Sequence, residues 1–517
     1  MSENREAAAA SLKEQTDFED PAQGADIQMT NGFDLDYSTR GRLAHKLIDK
    51  INDYFGSLGG RPVQLPAEER LFPYISKQVP EEGEDPEIVF AEIFRELCDR
   101  GFHITSANYL GLMNPTPTFV SVLAEMVVAA MNPQLASVER SGSASLIEKQ
   151  TVDWIGQLLG WEQPFGGAFT TGGSEANAGA LNLALVRCHP DVIDHGLRSM
   201  SGQGTFYASH ESHHSLDKAA GALGLGRQAL RRINTTARLQ MDLRQLEESI
   251  CSDIEAGNVP FCVVGTAGTT NTGAIDDLEG VAEIARKYGI WFHVDGAYGA
   301  AVIFSNRHKA SVRGIELADS VAIDPHKWLA MPFSAGVMLT RYPSLLRKSF
   351  SVAAPYLRES QNAIEDQYQT SSQWSRRMNS LKLWATLRVH GRRSYEQVID
   401  RQIGLAADMA RWIQDSGLFE LCAPQMLSAV AFRVKLAGTE KEIATANRAV
   451  VDDVNRSGER WISITTVTGR SAIRTMVISY LTTEHHLKGL QDALREAALR
   501  VVAAVEEERA YAARPGS

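Results

Sequence analysis

The sequence predicts an α/β protein: a mostly parallel sheet covered by helices, followed by a smaller α+β domain. Three observations carry this. In the middle of the chain, short apolar runs bounded by glycine alternate with helical patterns. Two of those runs end on carboxylates, Asp295 and Asp324, and in open α/β sheets ligands sit at the carboxyl ends of the strands. From about Arg392 the alternation gives way to a long helix, short strands and a final helix.

Taken in order, the first thirty residues are polar and acidic and lack the basic start and apolar centre of a signal peptide, so they read as a flexible leader. Leu43, Leu47, Ile48, Ile51 and Phe55 recur at helical spacing and predict an amphipathic helix. After a polar stretch containing prolines, a second helix is expected from Pro86 to Asp99. These helices have no strands beside them and must pack on something else. Ser145 to Leu159 reads as a helix burying Leu146, Ile147, Ile155, Leu158 and Leu159. The expected strands of the middle region are 205–209 (TFYAS), 261–266 (FCVVGT), 290–295 (IWFHVD), 320–324 (SVAID) and 336–340 (GVMLT), with a helix over 278–288 between two of them. The C-terminal part predicts a helix over 394–412, strands over 419–422, 429–434 and 473–479, and a helix over about 483–508.

At 517 residues the chain exceeds what one hydrophobic core serves, so two or three domains are expected. Its net charge of −11 and the lack of a long Lys/Arg run exclude a general nucleic-acid binder. No run of eighteen apolar residues is present to span a membrane. The five cysteines show no CxxC spacing, which fits reduced thiols in the cytoplasm better than a disulfide framework or a zinc site.

Four motifs carry chemistry. Asp324-Pro325-His326-Lys327-Trp328 follows a short apolar strand and places a lysine beside Trp328, Leu329 and Ala330. Burial there favours the neutral amine, which forms a Schiff base with an aldehyde; a surface lysine on a loop is the plainer reading. His293-Val294-Asp295-Gly296-Ala297-Tyr298 puts a carboxylate at a strand end, suited to a protonated heteroaromatic nitrogen such as that of pyridoxal phosphate, or simply to capping the next turn. Thr170-Thr171-Gly172-Gly173-Ser174-Glu175-Ala176-Asn177 leads into an apolar helix, and its Gly-Gly-Ser offers backbone N–H groups and a hydroxyl to a phosphate, although Ser174 alone also fits an ordinary N-cap. His213-His214 follows the strand TFYAS; no further His or Cys completes a metal set, so no metal is expected, and stacking on an aromatic cofactor fits better.

The order of these motifs, with GTAGTTNTGAIDD (residues 265–277) and SRRMNSLKLW (residues 375–384), resembles the group II pyridoxal-phosphate-dependent amino-acid decarboxylases over roughly residues 100 to 500. The resemblance implies the aspartate-aminotransferase type of fold (fold type I), with a mostly parallel seven-stranded sheet. It also implies a homodimer with active sites at the subunit interface. The implied division is a leader over 1–30, an N-terminal helical segment at the dimer interface over 31–105, a large cofactor domain over 106–391 and a small domain over 392–517.

By position, Lys327 matches the lysine that holds the cofactor aldehyde. Asp295 matches the partner of the pyridine nitrogen, Ala297 lies beneath the ring and His213, rather than His214, stacks on its other face. Gly173 and Ser174 match the phosphate turn, with His326 near it. Thr270 matches the threonine close to His213, and Asp276 matches a structural carboxylate. Residues 351–369 match a catalytic loop in which Tyr356 returns a proton to the substrate after carbon dioxide leaves. Relatives that make aldehydes oxidatively usually carry phenylalanine there. The implied activity is decarboxylation of an L-amino acid to its amine, the alternative being oxidative decarboxylation with deamination or another lyase reaction. Residues 108–119 align with the substrate pocket but depart from both the aromatic and the glutamate patterns; Asn114 and Thr116 are the candidates for touching substrate.

Overall fold

In the computed structural model, residues 35–69, 79, 81–352 and 365–512 are described. The described residues 35–56 and 84–89 belong to a small helical unit, one of two compact units of the chain. Within it the helix Tyr37–Ser57 buries Leu43 and leaves Leu47, Ile48, Ile51 and Phe55 half-exposed. Arg42 and Lys46, one turn apart, both reach the Glu87 carboxylate, at 3.0 and 2.7 Å.

The larger unit is built on seven strands: β1 (Gly166–Thr170), β2 (Gly204–Ser209), β3 (Leu230–Ile233), β4 (Val259–Thr266), β5 (Trp291–Asp295), β6 (Ser320–Ile323) and β7 (Gly336–Thr340). Their order is β1-β7-β6-β5-β4-β2-β3, parallel from β3 through β6, with β7 antiparallel to both its neighbours. The expected mostly parallel seven-stranded sheet is present. Its strands are buried on both faces, so they read as continuous apolar runs. Phe292, Val294 and Val263 belong to one face, covered in part by the helices Leu243–Glu255 and Leu278–Tyr288. Trp291, Cys262 and Val264 belong to the other, covered by Gly173–Cys188 and Ser215–Ala222.

The helix over 278–288 has the expected bounds because both ends are capped. Asp277 accepts from Gly280 N–H, and Gly289 closes the C-terminus at φ +66°, a left-handed conformation natural to glycine. Two strands of this sheet escape the apolar-run criterion. β1 (GGAFT) is rich in glycine because β7 lies so close that a Cβ at Gly167 would stand 2.4 Å from the Met338 carbonyl oxygen. β3 (LRRI) is a short edge strand whose Arg231 and Arg232 pair with Asp253 and Asp217. The expected burial of Leu146 is not found. The helix Val138–Leu158 instead buries Ser145, Glu148, Thr151, Val152 and Ile155, since the buried Arg376 binds Glu148 at 2.5 Å and turns that face inward.

A second sheet contains β8 (Phe419–Leu421), β9 (Ala429–Val434), β10 (Ser463–Val467) and β11 (Arg470–Met476), all antiparallel, in the order β10-β11-β9-β8. Leu405, Met409 and Ile413 of the helix Ser380–Asp415, Val450 of Glu440–Arg456, and Leu490 and Leu494 of Glu484–Ala512 share its core. The first of these helices is broken at Gly391, at φ +71°; the expected helix over 394–412 falls within the part after the break, and the part from Ser380 to the break is not among the expected elements.

Candidate active site

The carboxyl ends of β4, β5 and β6 and the turns after β1 and β2 surround a cleft of about 330 Å³. Alternation along β5 decides what reaches it. Trp291, His293 and Asp295 fall on the face covered by the helix Gly173–Cys188, and Phe292 and Val294 on the opposite one. Asn177, in the second turn of that helix, therefore meets both polar residues. It donates to Asp295 Oδ2 at 2.9 Å and to Ser215 Oγ at 3.0 Å, and its Oδ1 lies 3.0 Å from His293 Nε2. Ala297 N–H donates to Asp295 Oδ1 at 3.2 Å, so both oxygens of this buried carboxylate are held.

Beyond β6 the chain turns through Asp324–Trp328. The turn is anchored by the buried Trp328, which donates its indole N–H to Gln402 Oε1 at 2.6 Å and stacks on Tyr298 at 4.9 Å. Tyr298 is fixed in its turn by Ser428, 2.6 Å from its hydroxyl. Lys327 reaches the cleft floor, where its Nζ is 3.0 Å from Asp324 Oδ2. Its amine is thus paired with a carboxylate, not simply desolvated against apolar neighbours as the motif suggested.

The glycine turn faces this lysine turn. A Cβ on Gly173 would stand 2.9 Å from Asp324 Oδ2 and 3.0 Å from the Ala297 methyl, and one on Gly172 3.0 Å from the His326 ring. The Gly172 carbonyl already accepts from Glu175 and Ala176 N–H. That leaves the N–H groups of Gly173 and Ser174, with the Ser174 hydroxyl, at the positive end of the helix. Burial raises the Glu175 carboxyl, but hydrogen bonds from Thr171, Gln373 and Ser372 outweigh it and hold the group below its ordinary value.

His213 opens onto the cleft, and its Nδ1 accepts from Ser215 N–H at 3.2 Å. Desolvation by the cleft walls lowers its pKa against the opposing pull of Asp295. His214 lies outside the cleft, exposed and 3.1 Å from Asp217. Thr270 lines the cleft, and Arg474 Nη1 donates to its carbonyl at 2.7 Å. Asp276 sits behind β4; burial pushes it up to about 6 although Thr266 and Met241 N–H both donate to it.

The cleft thus brings together Lys327, Asp295, His213, Gly173, Ser174, Thr270, Ala297 and His326. Asn114 and Thr116 do not line it. Thr116 is buried, its hydroxyl 2.5 Å from the Thr105 carbonyl and 3.0 Å from Ser479, and Asn114 accepts from Tyr109 at 3.3 Å. Tyr356 lies outside the described residues. Sequence reasoning missed Asn177, whose only signal is its place one helical turn after Gly173, and Thr266, which ends β4 just as Asp295 ends β5.

Two buried oxygens at the cleft, Thr266 Oγ1 and Asp324 Oδ1, have no hydrogen-bond partner among the described residues. A paired amine, a fixed carboxylate and an anion-binding turn with no room for a Cβ form a donor set that fits pyridoxal phosphate. The carboxylate suits the ring nitrogen, the amine the aldehyde and the turn the phosphate.

Comparison with known proteins agrees. Residues 68–435 match the pyridoxal-dependent decarboxylase conserved domain. An L-2,4-diaminobutyrate decarboxylase of Acinetobacter baumannii is 32% identical over 391 residues, 72% of this chain and 76% of that enzyme. An aromatic-L-amino-acid decarboxylase of Bacillus atrophaeus is 29% identical, covering 89% of this chain and 95% of that enzyme. The crystal structure of Catharanthus roseus tryptophan decarboxylase in complex with L-tryptophan superposes with a TM-score of 0.83 at 25% identity, covering 90% of this chain and 99% of that one. With its domain match, its fold and this cleft in agreement, the chain belongs to the pyridoxal-dependent decarboxylases.

Proposed function

We propose that this cleft removes carbon dioxide from an L-amino acid to give the corresponding amine, with Lys327, Asp295 and His213 doing the work. The observation that carries the reading is the convergence of Lys327, from the turn after β6, and Asp295, from the end of β5, on one cleft closed by the Gly173 turn. Pyridoxal phosphate, when bound, supplies an aldehyde for the substrate amine and a ring that accepts the electrons released when the carboxylate leaves.

The residues have separable tasks. Lys327 holds the cofactor until substrate arrives, and Asp324 keeps its amine at the cleft floor. Asp295, immobilised through both oxygens, keeps the ring nitrogen protonated. His213 and Ala297, both lining the cleft, would hold the ring between them. Gly173, Ser174 and His326 hold the phosphate, and Thr270 borders His213. Tyr356 delivers the proton to Cα.

The reading extends to assembly and compartment. The helix Phe119–Met131 leaves Leu123, Met126, Val127 and Met131 exposed, Met131 by 75%. Four large apolar side chains on one helix suit burial in a homodimer. The five cysteines are scattered with no CxxC spacing, which supports the cytoplasm. No helix among the described residues is long and apolar enough to cross a membrane.

The test is a screen of the purified, cofactor-loaded protein for carbon dioxide release from the proteinogenic L-amino acids and L-2,4-diaminobutyrate, with mass spectrometry of the products and Lys327→Ala as control. Amine formation that disappears in the control is expected. A loaded protein that releases no carbon dioxide from any of them, or whose control is equally active, would overturn the assignment.

A further inference from the structure

Lys382 is a lysine with no exposed side-chain surface, two residues into the helix Ser380–Asp415, and it lies outside the cleft. A buried ammonium is costly unless each of its protons is matched. Here three oxygens surround it: it donates to the carbonyl oxygens of Pro332 at 3.2 Å and Ser334 at 3.1 Å, and forms an ion pair with Glu125 Oε2 at 3.2 Å. Two of the three are backbone groups of one loop, the link between the lysine turn and β7.

That loop also grips His326. Ala335 N–H donates to His326 Nδ1 at 2.9 Å, the His326 N–H donates to the Ala335 carbonyl at 3.2 Å, and the Phe333 ring lies 4.7 Å from the imidazole. A backbone N–H can only donate, so His326 Nδ1 carries no proton, and in the neutral ring the proton is on Nε2. Burial favours the neutral ring, and the charges of Lys327 and Lys382 act in the same direction, against Asp324. The Cε1–Nε2 edge of the ring faces the glycine turn: a Gly172 Cβ would stand 3.0 Å from Cε1 and 3.8 Å from Nε2, and Nε2 is 3.6 Å from Asp324 Oδ2. His326 is therefore presented to that turn as a hydrogen-bond donor whose orientation is set by the loop behind it.

We propose that Lys382 is a positioning residue for the cofactor phosphate: by binding the Pro332 and Ser334 carbonyls it fixes the loop that aims the Nε2–H of His326 at the Gly172–Gly173 turn. The proposal rests on the reading of that turn as the phosphate site. Lys382 touches neither cofactor nor substrate; its effect passes through the loop and the imidazole. Glu125, also bound by Arg377 at 2.8 Å, neutralises the buried charge from the side away from the loop.

The experiment compares two ligands on the cofactor-free protein: pyridoxal phosphate, and pyridoxal, which has the same ring and aldehyde but no phosphate. Lys382→Met keeps the side-chain length and removes the donors. Its dissociation constant for pyridoxal phosphate is expected to rise about tenfold, the size of one lost charged hydrogen-bond contribution. That for pyridoxal should stay within about twofold of wild type. In a His326→Leu background, adding Lys382→Met should cost no further affinity, because the route through the imidazole is already gone. Equal loss for both ligands would show a merely structural lysine and overturn the proposal. So would full additivity with His326→Leu. If wild type binds the two ligands alike, the phosphate-site reading itself fails, a different and recognisable result. Should Lys382→Met not fold, Lys382→Gln, whose amide still donates to carbonyls, carries the same comparison. A smaller loss confined to pyridoxal phosphate is then expected, and a loss shared by both ligands refutes.

Discussion

Asn177 holds Asp295 from behind: its Nδ2 donates to Asp295 Oδ2 at 2.9 Å while its Oδ1 faces His293 Nε2 at 3.0 Å. The amide has one orientation available. Nδ2 serves Asp295 and Ser215, so Oδ1 must accept, and the His293 proton is on Nε2. His293 Nδ1 is then free to accept from Ser320 Oγ at 2.8 Å. A line of hydrogen bonds runs from β6 through β5 to the helix and ends on the carboxylate proposed to face the cofactor nitrogen.

Asn177→Leu keeps the volume and breaks this line, leaving Asp295 Oδ2 and His293 Nε2 buried with one fewer partner each. An unmatched buried polar group costs about 1–3 kcal/mol. The expected outcome is a folded protein whose cofactor affinity and turnover both fall by roughly ten- to a hundredfold, at about 1.4 kcal/mol per factor of ten. Cofactor titration by absorbance with steady-state assays checks it; unchanged values for both would remove Asn177 from the site.

The same line has a pH signature. Burial pushes His293 down to about 4 from its ordinary 6.5, so the folded protein keeps the ring neutral where the unfolded chain protonates it. A depressed histidine contributes stability that is present above pH 6.5 and lost as pH falls toward 4. For a shift of this size the loss is on the order of 3 kcal/mol. His293→Gln keeps a donor and an acceptor without titrating, so its melting temperature should fall less steeply than that of wild type across this window. Parallel curves would refute the assignment.

Much of this was legible because strand ends and glycine turns are local. The run IWFHVD, the DPHKW turn and the GGS helix start are each read from a few neighbouring residues, and the structure gathers all three at one cleft. What escaped depends on distant contacts. Asn177 is an unremarkable helix residue until β5 is placed beneath it, and Lys382 sits in the helical stretch before Gly391, which the sequence reading does not include. The helix Glu440–Arg456 was overlooked although Thr439 and Glu442 form a reciprocal capping box, a signal present in the chain. β1 was hidden by the glycines that let β7 approach it.

Gly173→Ala tests the tightness of the turn. The new methyl would meet Asp324 Oδ2 at 2.9 Å and the Ala297 Cβ at 3.0 Å, and neither side chain is free to retreat, since Asp324 pairs with Lys327. Overpacking of this kind costs roughly 1–3 kcal/mol. Cofactor affinity should weaken about tenfold or more while far-ultraviolet circular dichroism stays unchanged. Wild-type affinity would mean that the turn lies further from the cofactor than proposed.

Assembly can be tested without touching the cleft. Val127 and Met131 are 52% and 75% exposed on the helix Phe119–Met131 and line no part of the cleft. Replacing both by glutamate adds charge where a dimer would be apolar. Light scattering is expected to show twice the chain mass for wild type and a large shift toward a single chain for the double variant. A wild type that is monomeric and active would sink the homodimer.

The reaction type rests on Tyr356. Once carbon dioxide has left, Cα must gain a proton before dioxygen diverts the electrons, and the Tyr356 phenol is the donor proposed for it. Phenylalanine keeps the bulk of the ring and cannot donate. Tyr356→Phe should therefore slow amine release by about a hundredfold, in the range typical of a lost general acid. Substrate affinity should change little, because binding precedes the proton transfer. In air the share of aldehyde and ammonia should rise, and under argon it should fall back, since the diverted route consumes dioxygen. Product ratios by mass spectrometry, with and without oxygen, make the measurement. Amine formation at the wild-type rate, with an unchanged product ratio, would show that the proton comes from elsewhere. His213, which opens onto the same cleft and whose pKa is lowered by burial, would then be the residue to substitute next.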